Sequence, residues 1–184
     1  LVETHFGAVS KGTEGLVLAG RVPVDQHEAM RGPHMQGSFS FPVKYGYACS
    51  GRVVAGALPV GTGVFCLHPH QDRFVVPVDS VVVHEAPLDR AVLAPNLETA
   101  LNVVWDSGAS AGDRVAVVGG GVVGGLVAWL LGQLPGAEVT LVDVLAERES
   151  LADALGVRFS LKAPRDCDVV VHASGTEAGA LEAL

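Results

Sequence analysis

Cysteine, charge and basic clusters are all scarce in these 184 residues, and each scarcity excludes something. Only Cys49, Cys66 and Cys167 are present, far apart and without a CxxC pair. They cannot supply a disulfide framework or a four-cysteine zinc knot, so a reducing, cytoplasmic setting is the default expectation. Charged residues make up 17%, acidic residues outnumber basic ones 20 to 12, and no run of Lys and Arg occurs. Such a chain is not expected to bind nucleic acid. There is no visible signal peptide, internal repeat or low-complexity tract. What is abundant is apolar. Hydrophobic residues reach 49%, and the mean hydropathy is +0.39. That suits a parallel sheet buried on both faces. The chain starts at Leu1 on a strand-like run and stops at Leu184 in a helix-like one, so both ends read as cut from something longer.

Two halves differ in pattern. Residues 1–87 read as a β-rich lobe with frequent glycine and proline and short strand-like runs: Leu1–Thr4, Cys49–Val54, Gly63–Leu67, Arg73–Val78 and Val81–Val83. Gln26–Ser40 lacks periodicity and reads as a loop. Residues 88–184 begin with helical segments at Asp89–Ala94 and Leu97–Ser107. Strands at Arg114–Val118, Glu138–Val142, Val157–Phe159 and Asp168–Ala173 then alternate with helices at Val122–Leu134 and Ala146–Leu155. Alternation of that kind implies α/β architecture with a parallel sheet.

The junction of the first strand and helix carries the chemistry. Gly119, Gly121 and Gly124 stand in GxGxxG spacing between an apolar strand and an apolar helix. The first glycine allows a tight turn, the second lets backbone approach a pyrophosphate, and the third lets helix and strand pack closely. Asp143 lies 22 residues past Gly121, at the end of the next strand. A carboxylate there accepts hydrogen bonds from ribose hydroxyls and repels a 2′-phosphate, so NAD is expected ahead of NADP. Arg148 is a counterweight five residues on. The competing reading is a membrane helix, because Val115–Leu134 is uncharged for 20 residues and contains GxxxG pairs. Six glycines in that run, clustered between a β-like and a helix-like half, oppose it.

The order of a β lobe, a helical linker and a GxGxxG unit resembles the medium-chain dehydrogenase/reductase family. Gly12-Thr13-Glu14 looks like its "GT(D/E)" element, and Gly46–Val53 (GYACSGRV) like its "GHExxGxV" strand. Leu97-Glu98-Thr99-Ala100 with Ala111–Val115 looks like its linker into the nucleotide fold. Within the family, Ser10–Pro23 looks most like bacteriochlorophyllide a dehydrogenases. The resemblance implies a GroES-like lobe followed by a Rossmann doubly wound sheet, both truncated, in an NAD(P)-dependent oxidoreductase that forms homodimers and acts on a small-molecule substrate. It also implies that zinc is absent. Where zinc alcohol dehydrogenases place their ligands, this chain has Lys11, Tyr47 and Pro95, and Ala48 replaces the glutamate after the histidine. Those side chains cannot form a catalytic zinc site.

Without zinc, another group must handle the substrate proton. If the family backbone is kept, Lys11 and Tyr47 point at one spot, where an ammonium would favour phenolate. They become candidate acid/base residues, with Thr13 at the family's substrate-binding hydroxyl position. The bland alternative is a packed Tyr47 and a solvated Lys11. Candidate cofactor-binding residues are Gly119, Gly121, Val122, Val123, Gly124, Asp143, Arg148, Thr99, Ala173 and Ser174. His68 and His70, in HPHQD, read as turn histidines that either pack or line a substrate pocket; His172 lies at a strand end near the cofactor or simply packs. Met30, Met35, Phe39 and Phe41 either cover an apolar substrate or belong to the core. The expected reaction is hydride transfer between NAD(H) and a secondary alcohol or ketone. The alternatives are a quinone or enoyl reductase and a non-catalytic NAD-binding module.

Overall fold

The structure, a computed structural model, describes residues 1–184. The chain divides into two compact units, Leu1–Pro95 and Asn96–Leu184.

The first unit contains β1 (Val2–Gly7), α1 (Thr13–Leu18), β2 (Gln36–Gly37), β3 (Val43–Lys44), β4 (Cys49–Val53), β5 (Gly63–Cys66), β6 (Arg73–Phe74), β7 (Val82–Val83) and α2 (Leu88–Ala91). Five of the strands form an antiparallel sheet in the order β6-β1-β4-β5-β7, and β2 pairs with β3 alone. Val2, Cys49, Val53, Val64, Cys66 and Phe74 form the sheet's buried core. Gly51 is dictated by the β1–β4 crossing: a Cβ there would lie 2.0 Å from the Glu3 carbonyl oxygen. A second cluster joins Val17 of α1 to Val22, Met35 and Phe39. Met35 and Phe39 are therefore core residues, whereas Phe41 is exposed.

The second unit contains α3 (Ala94–Ser107, entered from the first unit), β8 (Arg114–Val118), α4 (Val122–Leu131), β9 (Glu138–Val142), α5 (Glu149–Leu155), β10 (Arg158–Ser160), β11 (Val169–His172) and α6 (Glu177–Glu182). The four strands form a parallel sheet in the order β10-β9-β8-β11. Strand alternation sends Val115 and Val117 to a core shared with Val127, Leu131, Leu141 and Ala152. Ala116 and Val118 face the other way, with Val142, Cys167 and Ala183. Each fully buried valine or leucine of this kind contributes about 1.5–3 kcal/mol, and two-sided burial explains why β8 reads as an unbroken apolar run.

Several boundaries differ from the sequence reading. The apolar run that resembled a membrane span is split between β8 and the ten-residue α4. No helix is long and apolar enough to cross a membrane. α4 stops at Leu131 rather than Leu134, with Gly132 at its cap. The strand expected over Arg73–Val78 ends at Phe74; Pro77 and a 3₁₀ turn at Val78–Ser80 follow. α1 was not anticipated.

Candidate dinucleotide and proton-transfer sites

In the second unit, β8 is where the strand order reverses. The chain adds β9 and β10 on one side and then β11 on the other. Ligands of open parallel sheets bind outside the carboxyl ends of the strands at such a reversal. Here that end is closed by the Ala173 N–H, which donates to the Val118 carbonyl at 2.8 Å.

The three motif glycines do three different things at this point. Gly119 has φ +115°, and a Cβ on it would stand 2.5 Å from the Ser174 nitrogen. Gly124 lies against the turn: its Cβ would be 1.8 Å from the Gly119 carbonyl oxygen and 3.3 Å from the Ala173 methyl. Gly121 is different. A Cβ there meets nothing within 4 Å, so its side of the turn is open. Gly121 precedes α4, no side chain caps that terminus, and the helical ladder starts only with Gly125 N–H donating to the Gly121 carbonyl at 2.8 Å. The amides of Val122, Val123 and Gly124 precede that first bond. They supply the donors and positive partial charge that a pyrophosphate requires. The residues present thus fit a dinucleotide.

Asp143 braces this turn from β9. Its Oδ2 accepts from the Gly120 N–H at 2.6 Å and its Oδ1 from the Leu145 N–H at 2.9 Å. Each carboxylate oxygen retains acceptor capacity for a ribose hydroxyl. The Arg148 stem lies against the same turn, because a Cβ on Gly120 would be 3.3 Å from Arg148 Cγ. The Ser174 hydroxyl bonds His172 Nε2 at 2.7 Å and Thr176 Oγ1 at 3.0 Å, behind Gly119. Thr99 occupies an exposed position on α3.

In the first unit, Thr13 opens α1, and its N–H donates to Ser10 Oγ at 3.3 Å. Lys11 is exposed, and Tyr47 is half-buried with its ring edge-on to Tyr45 at 6.3 Å. The structure records no hydrogen bond between Lys11 and Tyr47. It does join two residues to which the sequence assigned no common role. His70 Nε2 lies 2.6 Å from Glu14 Oε1, and Glu14 Oε2 accepts from the Ser10 N–H at 2.6 Å. His68 is a packed residue: it stacks on Phe74 at 4.0 Å and on His34 at 5.3 Å. Burial lowers its pKa, and its Nδ1 meets the Pro69 carbonyl oxygen at 2.8 Å. No three His, Cys, Asp or Glu side chains gather as a metal-holding group.

Solved structures share this fold. A protein assigned as a zinc-binding dehydrogenase from Sinorhizobium meliloti, bound to NADP, matches 97% of this chain at 19% identity with a TM-score of 0.71. L-idonate 5-dehydrogenase from Escherichia coli matches 99% at 18% identity with a TM-score of 0.70. The quinone oxidoreductase from Coxiella burnetii matches 86% at 20% identity with a TM-score of 0.61. The chain shares the fold of these dehydrogenases and this oxidoreductase. It spans 63%, 64% and 51% of those three structures. No protein-family model matches the sequence, and no curated protein does. Within this fold, the glycine turn was legible in the sequence. The Glu14–His70 pair was not, because the partners lie 56 residues apart. Its available signals were the acidic residue of Gly12-Thr13-Glu14 and the HPHQD turn, each noted without the other.

Proposed function

We propose that this chain belongs to a zinc-independent, NAD-preferring oxidoreductase that exchanges a hydride with a secondary alcohol or ketone. The observation that carries the reading is the glycine turn. Gly119 and Gly124 are forced to be glycine by their neighbours, whereas Gly121 leaves open space at an uncapped helix start beside Asp143. Packing alone accounts for the first two and gives no reason for the third. Bound there, the nicotinamide would accept or donate the hydride. The chain's own contribution is to seat the pyrophosphate on the first amides of α4 and to present Asp143 to the ribose.

Zinc independence is supported by residue identity, since Lys11 and Tyr47 stand at motif positions that zinc enzymes fill with ligands. Tyr47 and Thr13 remain proposed substrate contacts in the first unit, and Lys11 a proposed contributor of positive charge. The resemblance over Ser10–Pro23 supports a bulky substrate.

The test is NADH formation by the full-length protein with a panel of secondary alcohols that includes 1-phenylethanol, after exhaustive chelation. Activity that survives chelation, with zinc well below one per chain, is the expected result. Activity restored only by added zinc would overturn the zinc-independent reading. NADPH-dependent reduction of a quinone or enone without alcohol oxidation would replace the dehydrogenase by a reductase.

A further inference from the structure

We infer that Cys49 and Cys66 form a modification site, a dithiol that hydrogen peroxide converts into a disulfide between β4 and β5. The two residues are register partners: antiparallel pairing sets Cys49 opposite Cys66. Residues directly opposite one another in such a ladder project from the same face. Their Cα atoms stand about 4.5 Å or about 5.5 Å apart, according to the kind of pair. Both values lie within the roughly 4.4–6.8 Å that a disulfide spans. Their Cβ atoms, about 4.5–5.5 Å apart in such pairs, must close by roughly 1 Å. Both cysteines are free thiols, and they share one buried cluster with Val2, Val53, Val64 and Phe74. Cys167 lies in the second unit, so within the first unit each of the two has the other as its sole cysteine partner.

Neither thiol is held by a strong interaction. The Cys49 S–H donates to the His68 carbonyl at 3.3 Å, and the Cys66 S–H donates to the Ser80 carbonyl at 3.1 Å. Thiols are weak donors, so rotation about Cα–Cβ releases both sulfurs at little cost. Burial pushes the Cys49 thiol up, and burial with Cys49 alongside pushes Cys66 up to about 11. Both are therefore protonated at neutral pH, and their oxidation is slow. Access comes from the sheet edge. Beyond β5 stands the two-residue β7, with Val82 and Val83 both exposed. The 3₁₀ turn Val78–Ser80 before it carries the carbonyl that holds Cys66. So short an edge opens locally while the rest of the sheet stays paired. Opening admits peroxide to Cys66 and leaves β5 free to move toward β4.

The step balances. One sulfur, as its thiolate, attacks an oxygen of hydrogen peroxide. The O–O bond breaks, and the departing hydroxide takes up the thiol's proton to leave as water. The second sulfur then attacks the sulfenic acid so formed. The S–O bond breaks, the S–S bond forms, and a second water leaves with the second thiol's proton. The two thiols lose two electrons in all, and the peroxide gains them. A dithiol reductant reverses the change. The bond closes residues 49–66 into a loop, which restricts the unfolded chain and so stabilises the first unit.

The experiment treats the folded full-length protein with hydrogen peroxide and removes the excess with catalase. The protein is then unfolded in iodoacetamide, and its unreduced peptides are mapped by mass spectrometry. The expected product is a Cys49–Cys66 linked peptide, two hydrogens lighter than the sum of its reduced halves and abolished by dithiothreitol. Circular dichroism of the oxidised protein should match the parent. Its thermal midpoint should be higher before dithiothreitol than after, a comparison that leaves any oxidised methionine unchanged. Cys66→Ala should leave Cys49 open to alkylation after the same treatment. Complete alkylation of both cysteines in the parent after prolonged peroxide would overturn the assignment. So would linkage of either one to a different cysteine, a link that forms only as the native dichroism is lost, or a midpoint no higher before dithiothreitol than after. The peptide map of the parent decides the matter even if the variant fails to fold.

Discussion

Single residues here are constrained by what stands within a few ångströms of them, and the motif glycines show it. A Cβ at Gly124 would lie 1.8 Å from a backbone oxygen that cannot rotate away. Gly124→Ala should therefore destabilise the second unit by about 3 kcal/mol, the upper end of overpacking costs, as read by denaturant unfolding. An unchanged midpoint would mean that α4 can slide off β8. His68 gives a residue-scale dependence on pH. Burial holds its pKa below the ordinary histidine value, so the unfolded chain binds more protons than the folded one in that range. Its contribution is present above the unfolded pKa and is lost as pH falls toward the folded value. The thermal midpoint should drop between about pH 7 and about pH 5, and His68→Phe should flatten that drop. An equally steep fall in the variant would assign the effect to other groups.

Elements inherit these constraints. Asp143 ties the end of β9 to the turn after β8 through two backbone amides, one on each side. It thereby sets both the shape of the crevice and its charge. Asp143→Asn keeps the size but removes the negative charge, so NADP(H) affinity should rise relative to NAD(H) by roughly tenfold, or ~1.4 kcal/mol. Competitive binding measures this; an unchanged ratio would place cofactor choice elsewhere, with Arg148 as the nearest cation. The same elements show what sequence can reveal. β8 and β9 were legible to the residue, because two-sided burial writes itself as an unbroken apolar run in Val115–Val118 and a largely β-branched one in Val139–Val142, where Thr140 is buried as well. α1 was not legible. It has six residues and lies between Gly12 and Gly20, with Gly15 inside it and Val17 as its single buried side chain, so no period of 3.6 can show. The Glu14–His70 pair was hidden for another reason. It depends on the fold bringing α1 beside the turn after β5, and no local pattern encodes a contact across 56 residues. The expectation for Tyr47 and Lys11 came from resemblance alone, and the structure supplies no bond between them to add to it.

At the scale of the molecule, the chain divides into two compact units, each with its own polar cluster. The first holds a carboxylate–imidazole pair between two glycines, and the second holds an open helix terminus beside an acidic residue. The proposed function rests on the second unit seating a dinucleotide on the amides that begin α4. The most direct measurement is NADH binding to the full-length protein and to its Gly121→Val variant, followed by nucleotide fluorescence alongside circular dichroism. The backbone at Gly121, φ −77° and ψ −174°, is open to any residue, and an added side chain meets no protein atom within 4 Å, so the variant should fold. The expected result is saturable binding by the parent and none by the folded variant, because the valine fills the space the pyrophosphate needs. Equal binding by both, or no binding by the parent, would contradict the account.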